Sequence, residues 1–557
     1  MSKKDLKDSK SPVSERSPLL TFESNSNATP TSSLRDSVNT ALETTIFFQT
    51  RHEGQFEDDP DDPPPPYSFE APPPPVESES FSKSFEAIDN KYKDFPFVLL
   101  FFGFVAGFVF LAVKSLQNLM SRDSYYTRLF QLFGAGYGDD YGDYKPQHRL
   151  LLVFLVLPVI SSIGGLVCAY ITPYHFMMTA LLSIPISCLS GALIALGHGS
   201  VPGMVFSVVT ALVAFLIVSK YSARIKFSAV ILKIVIHVLT WHPGSWFVAL
   251  FGSLFTGFVF VIYAIMVAIV AADRYEIDSK DRYNYDGEKK WLFSSDTGFI
   301  LAFCLFTCYY TFEVIRNVIH VTISGIYGTW YYFSKSSKCP RYPALGAFNR
   351  AVTHSFGSIC MGSLVSAAMR FTTKVLSFIR TNREYREAGS LVLDVLVYVA
   401  SFFYKMLQFF NNFSYSYIAL HGKDYVTSAY DTYHLLTVRG VMTVFSDCVI
   451  EVTLNFYVWV VSILSSFIVY IFLKYIEQEV DATRITIFVL GEFFISRLIC
   501  NVTLSTLTSG FFTLLVVLAE SPEILEKSYP EYYEQLCSYQ PKLRTSLHVA
   551  IPSSPGV

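Results

Sequence analysis

Glu313, Arg316, Asn317, His320 and Ser324 stand at i, i+3, i+4, i+7 and i+11 in an apolar stretch running from about residue 298 to 333. On a helix these five share one face, while Val314, Ile315, Val318 and Ile319 point elsewhere. A carboxylate facing an intramembrane cavity attracts a cation and can exchange it for a proton, and a wetted imidazole titrates near neutral pH. The structural alternative is equally concrete. Arg316, one turn from Glu313, neutralises it and ties two helices together, and His320 is a neutral, hydrogen-bonded core residue. His354 carries the same two readings, and Glu451 and Glu492 are further carboxylates in apolar surroundings. Tyr309, Tyr310, Phe312, Trp330, Tyr331 and Tyr332 surround the polar face, either as core packing or as rings open to a cation.

Burying such a face takes long apolar elements, and the sequence supplies them. The 557 residues are 51% apolar and 16% charged, against about 25% charged in soluble domains. A helix of about 20 apolar residues crosses a bilayer core roughly 30 Å thick. Such stretches fall near 95–113, 150–171, 176–196, 203–218, 245–272, 298–332, 347–369, 391–410, 448–473 and 485–518, which makes about ten transmembrane helices. The expected class is therefore an all-α polytopic membrane protein with a disordered N-terminal tail. The fourth stretch is short. The tenth carries Glu492, Arg497 and Asn501 and is long enough to kink or split. The sixth, about 52 Å as a straight helix at 1.5 Å per residue, must tilt, protrude or break near Gly325. A break there would turn backbone carbonyls towards a cavity. Ser324 and Gly328, and Gly357 with Gly362 and Ser363, put small residues where helix backbones can approach closely.

Residues 1–92 are rich in Pro, Ser and acidic side chains and cannot bury enough apolar area to offset their ordering entropy. They lack the apolar core of a signal peptide, so the expectation is a disordered cytosolic tail, a ten-helix domain over 93–520 and a cytosolic C-terminal tail over 521–557. An even span count puts both termini on one side. Lys and Arg are too evenly spread between the loops to orient the chain. Pro64, Pro65, Pro66 and Tyr67 form a P-P-x-Y sequence, read by WW domains through a polyproline II helix. A WW-bearing ubiquitin ligase is the partner expected there, with Lys83, Lys91 and Lys93 as acceptors, and a Pro-rich spacer is the alternative. Residues 221–241 pattern as an amphipathic helix lying at the membrane surface, with Lys226, Lys233 and His237 on one stripe.

Seven of the nine cysteines fall in the apolar stretches, with no disulfide framework and no zinc spacing. Cys304 and Cys308, one turn apart, read as packing. There is no Walker A, G-x-S-x-G, H-E-x-x-H or dinucleotide fingerprint. No enzyme activity, cofactor, metal or nucleic acid is expected, and membrane lipid is the surrounding partner.

The segments EVIRNVIHVTISGIYGTWYY (313–332) and PRYPALGAFNRAVTHSFGSICMGSLV (340–365) resemble the choline transporter-like family, in its fungal, pH-nine-sensitive branch. The resemblance runs from Phe95 to the SYP at 528–530. It is marked by Gly357, Ser358, Gly362 and Ser363 in a GSxxxGSL pattern preceded by Arg350 and His354; Met361 stands where many relatives have Phe. It implies a ten-span carrier with cytosolic termini, in the plasma membrane and internal membranes, that moves choline and related amines. A quaternary ammonium has no hydrogen to donate, so aromatic faces and diffuse negative potential must recognise it. The reading is a secondary transporter of choline or a similar small organic cation, with proton coupling through a carboxylate as an option. The cation path is expected along Glu313, Arg316, Asn317, His320, Tyr309, Tyr310 and Trp330. The alternative is a non-transporting membrane scaffold or lipid-homeostasis protein.

Overall fold

Long runs of Leu, Ile, Val and Phe can leave water only as structures that bond every backbone N–H and C=O internally, which for a single segment means a helix. The computed structural model describes residues 92–121, 148–220, 222–282, 295–335, 339–381, 390–439, 448–475 and 482–547, all within the unit Ser78–Val557. The Pro64–Pro66 and Tyr67 motif lies outside the described residues, as do Lys83 and Lys91.

The described helices are α1 (Phe95–Met120), α2 (His148–Ile171), α3 (Pro173–Gly197), α4 (Val201–Lys220), α5 (Ser222–Trp241), α6 (Gly244–Arg282), α7 (Ser295–Phe333), α8 (Pro343–Val352) and α9 (Phe356–Thr381). They continue as α10 (Ser390–His421), α11 (Tyr425–Val438), α12 (Ile450–Tyr475), α13 (Ala482–Glu520), α14 (Pro522–Ser528), α15 (Pro530–Tyr539) and α16 (Pro541–Leu547). Eight of them, α1, α3, α4, α6, α7, α10, α12 and α13, are long and apolar enough to cross a membrane. Two further long helices, α2 and α9, overlap the second and seventh expected spans, so the architecture is compatible with ten. Helix α9 is the more polar because it carries Arg370, Lys374 and Arg380.

Helix α13 is the central post. The membrane-spanning part of α13 is almost wholly buried, whereas α4 turns Val205, Phe206, Val209, Leu212 and Leu216 outward. Close packing on every side of α13 is possible because its buried positions include Thr503, Ser509, Gly510 and Thr513. These hydroxyls donate to carbonyls one turn back, Thr503 to Ile499, Ser509 to Ser505 and Thr513 to Ser509, so burial leaves them satisfied.

Two open alternatives are decided and two expectations change. The helix α7 is continuous through Gly325; that glycine lets Ala347 of α8 approach, and a Cβ built on it would lie 2.8 Å from the Ala347 Cβ. The helix α13 is likewise unbroken from Ala482 to Glu520. The segment at 347–369 is two helices, α8 and α9, separated at Thr353, whose ψ of −87° leaves the helical range. The helix α5 does not lay its apolar side on lipid. Ile225, Phe227, Ile231, Ile234, Val235 and Val238 are buried in the main core with residues of α3, α13 and α15, and an exposed strip keeps Lys226 and Lys233.

Candidate functional site

Glu313 sits near the midpoint of α7 and is 2% exposed. Its Oε2 is 3.6 Å from Nη1 of Arg316, and its Oε1 is 3.0 Å from Nη1 of Arg370 on α9. The second contact is an ion pair without the alignment of a hydrogen bond, since Oε1 has no aligned donor. Arg370 also donates from Nε to the Tyr404 hydroxyl at 2.7 Å, and its guanidinium carbon lies 5.5 Å from the centre of that ring. The carboxylate is enclosed, but the side chains of Arg316 and Arg370 are 26% and 32% exposed. Three helices, α7, α9 and α10, thus meet at one carboxylate held by two guanidiniums. Any incoming cation has to compete with Arg370 for both the carboxylate and the aromatic face.

Beyond Glu313 the polar face continues as a buried seam. Asn317 donates to Ser363 of α9 at 2.8 Å and to the Tyr415 hydroxyl of α10 at 3.1 Å. One turn on, the His320 ring is bonded on both sides. Its Nε2 lies 3.1 Å from the Asn412 carbonyl and 3.2 Å from Ser416, and its Nδ1 lies 2.9 Å from the Ser509 hydroxyl of α13. Ser324 approaches Ser416 at 3.5 Å, and the Thr513 hydroxyl, whose proton goes to the Ser509 carbonyl, lies 3.1 Å from Ser416. Asn411 donates to Ser366 at 2.7 Å and accepts from Tyr425. Here His320 is the hydrogen-bonded core residue of the structural alternative. Arg316 pairs with Glu313 as that alternative held, but as one of two arginines.

The remaining expected residues are distributed along the same helix. Tyr310 is fully buried, with its hydroxyl donating to the Cys360 carbonyl at 3.1 Å and its ring edge-on to Phe101. Tyr309 packs at the margin of that aromatic cluster. Trp330 lies seventeen residues past Glu313, about 25 Å along the helix. It stacks on Tyr529 at 4.9 Å, so the arrangement does not bring it to the ion pair. Gly328 faces Leu420, and Gly362 faces the rings of Tyr415 and Tyr425. Gly357 takes the carbonyls of Lys93 and Asp94 against its α-carbon. Asp94, with a φ of +53°, accepts from the Ser358 hydroxyl at 2.6 Å and from the Tyr425 N–H at 3.1 Å. His354 stacks on Tyr92 beside this clip.

Sequence spacing missed the partners on other helices: Arg370, Tyr404, Ser363, Asn412, Ser416 and Ser509. A signal was present, because Asn412 and Ser416, and Ser509 and Thr513, each stand four apart and mark polar stripes on apolar helices. Arg370 lies one residue past the expected end of the seventh span.

Comparison with known proteins places this geometry in context. Residues 204–523 match the family described as plasma-membrane choline transporter. The chain is similar to Protein PNS1 of Debaryomyces hansenii, with 30% identity over 486 residues, covering 84% of this chain and 90% of that protein. It resembles Protein PNS1 of Saccharomyces cerevisiae at 30% identity over 82% of this chain and 86% of the relative. For Protein PNS1 of Yarrowia lipolytica the identity is 32%, over 80% and 79%.

Proposed function

The chain belongs to the choline transporter-like family, and we propose that it is a secondary carrier that moves choline or a related small organic cation across the plasma membrane. The observation that carries this reading is the Glu313–Arg370–Tyr404 arrangement. A carboxylate and an aromatic face already hold one organic cation, the Arg370 guanidinium, at the centre of the helix bundle. A quaternary ammonium uses the same two features, negative potential and a ring face. In this mechanism the substrate displaces Arg370 from Glu313 and Tyr404. The freed guanidinium, already 32% exposed, turns to water, and re-pairing with Glu313 expels the substrate. This mechanism requires a second arrangement of the ion pair close in energy to the first, as alternating access does. The N-terminal P-P-x-Y sequence recruits a WW-domain ubiquitin ligase that controls the carrier's residence in the membrane.

A second reading, a non-transporting scaffold, is favoured by the seam from Asn317 to Thr513, whose side chains bond mainly to one another and leave the helices tied together. Uptake of labelled choline into liposomes containing the purified protein separates the two. Saturable uptake that Glu313→Gln abolishes, in a variant that is folded and inserted, is the expected result. Uptake no higher than in empty liposomes removes the choline reading and leaves the scaffold.

A further inference from the structure

Glu492 of α13 is fully buried, and neither of its carboxylate oxygens has a hydrogen-bond partner among the described residues. The face it occupies is mostly apolar, with the buried Ser496 hydroxyl at i+4, itself without a hydrogen-bond partner among the described residues, and the Cys500 thiol at i+8. Phe488, Ile495 and Ile499 stand at i−4, i+3 and i+7 from it and pack with Val159 of α2, Phe260 of α6 and Val469 and Leu473 of α12. The charged groups on these helices, among the described side chains, are Asp273 and Arg274 of α6, Glu451 and Lys474 of α12, and Glu520 and Arg497 of α13 itself. No basic nitrogen among the described residues comes within 4 Å of Glu492. Arg497 lies against another group, its guanidinium carbon 4.1 Å from the centre of the Trp459 ring, and its Nη1 has no hydrogen-bond partner among the described residues.

This site is separate from the Glu313 cluster. The pairs His320–Ser509 and Tyr331–Ser521 set α7 and α13 parallel with an offset near 190 residues. Glu492 is therefore level with about residue 302 of α7, roughly 16 Å along the axis from Glu313. A carboxylate with neither cation nor donor is the costliest group to place in such a setting, whereas the neutral acid carries only the smaller penalty of an unpaired hydroxyl and carbonyl.

We propose that Glu492 is a proton-binding site: its carboxyl group is neutral in this conformation and gives up its proton to water only when α13 separates from α2, α6 or α12. Protonation is thereby linked to helix packing, because opening that wets the carboxyl releases a proton and closing requires one to be taken up. Its use in coupling transport to a proton gradient rests on the carrier reading, while the protonation itself does not.

The direct test is infrared spectroscopy of the full-length protein in lipid nanodiscs. A carbonyl stretch of a protonated carboxyl, persisting at neutral pH and absent from Glu492→Gln, is expected; an identical band in both proteins overturns the proposal. A measurement on the unaltered protein covers a variant that fails to fold. An apolar carbodiimide adds to a protonated carboxyl in an apolar setting, the acid proton moving to a carbodiimide nitrogen as the carboxyl oxygen bonds to the central carbon. Peptide mass spectrometry should find the adduct at Glu492 and not at Glu313; modification of Glu313 alone, or of neither, overturns the proposal. In proteoliposomes, Glu492→Gln should lose the stimulation of choline uptake by a pH gradient. If the unaltered protein takes up no choline, the carrier reading fails and the infrared result still decides the protonation.

Discussion

Glu313 and Glu492 are the same residue type, both buried near the interior of long helices, and the protein deals with them in opposite ways. Glu313 is 2% exposed and meets two guanidiniums, one of them held in turn by Tyr404. Glu492 is 0% exposed and meets Phe, Ile, Val and Leu. Around α7, α9 and α10 the neighbours are Ser, Asn, Tyr and Arg, which satisfy a charge. Around Glu492 on α2, α6 and α12 the packed cluster is aliphatic and aromatic and offers no cation, which favours its neutral form. The difference teaches that burial alone does not fix a carboxylate's role, because the chemistry of the facing helices decides whether it is an ion-pair partner or a proton carrier.

The comparison breaks most readily at Arg370. Arg370→Leu leaves Glu313 with the longer Arg316 contact alone and should destabilise the detergent-purified protein by about 3 kcal/mol. That is the low end of the range for breaking a buried pair, since Arg370 is partly exposed and Arg316 remains. Glu492→Met, which removes a group that has no partner, should change stability by less than about 1 kcal/mol or raise it. Denaturant or thermal unfolding of the two variants checks this; equal losses would erase the distinction between the regions.

Much of the first region was legible in the sequence, because the 3.6-residue period reports which residues share a face. The polar stripe of α7 and its inward orientation follow from that period alone. The identity of the facing residues does not, since Arg370 is 57 positions away in sequence and its approach depends on how α9 crosses α7. The broken helix at Thr353 was hidden because 347–369 is apolar enough for one span. The residues that pack against the break, Asp94 and Lys93 clipped on the start of α9, lie some 260 residues earlier. Helix α5 misled for a related reason: its sequence has the stripe of a surface helix, and only the C-terminal helices reveal that protein covers the apolar side.

Close packing sets the size of the next effects. A methyl on Gly362 meets the rings of Tyr415 and Tyr425, which themselves bond Asn317 and Asn411. Gly362→Ala should cost about 2 kcal/mol through overpacking of the seam. The satisfied side of the molecule should feel it and the Glu492 side should not, which cysteine-accessibility rates at Cys360 and Cys500 in the two regions can report. At the N-terminal end of α9, Asp94→Ala removes acceptors from Ser358 and Tyr425 and should cost about 1 kcal/mol. Asp94→Asn should cost less, because asparagine tolerates the left-handed backbone and keeps one oxygen as acceptor. The order of melting temperatures, Asp94 above Asn above Ala, tests the clip.

The smallest expected effect concerns a half-buried imidazole, and so sharpens the contrast with the fully buried Glu492. His237 of α5 lies outside the membrane-spanning helices, against Trp330, Tyr529 and Tyr532. Burial first, and the charge of Lys233 second, hold its imidazole below the ordinary 6.5. Between its lowered value and 6.5 the unfolded chain binds more protons than the folded one, so its contribution to packing is fully present above 6.5 and is lost as the pH falls below it. Mild acidification should therefore loosen α15 from α5 and speed proteolytic cleavage after Tyr532, whereas His237→Phe should flatten that dependence. The carboxyl band of Glu492 should not change over the same range, because its helices stay closed. If both groups followed bulk pH together, Glu492 would be in contact with water, and the two carboxylates would differ in their partners but not in their access to solvent.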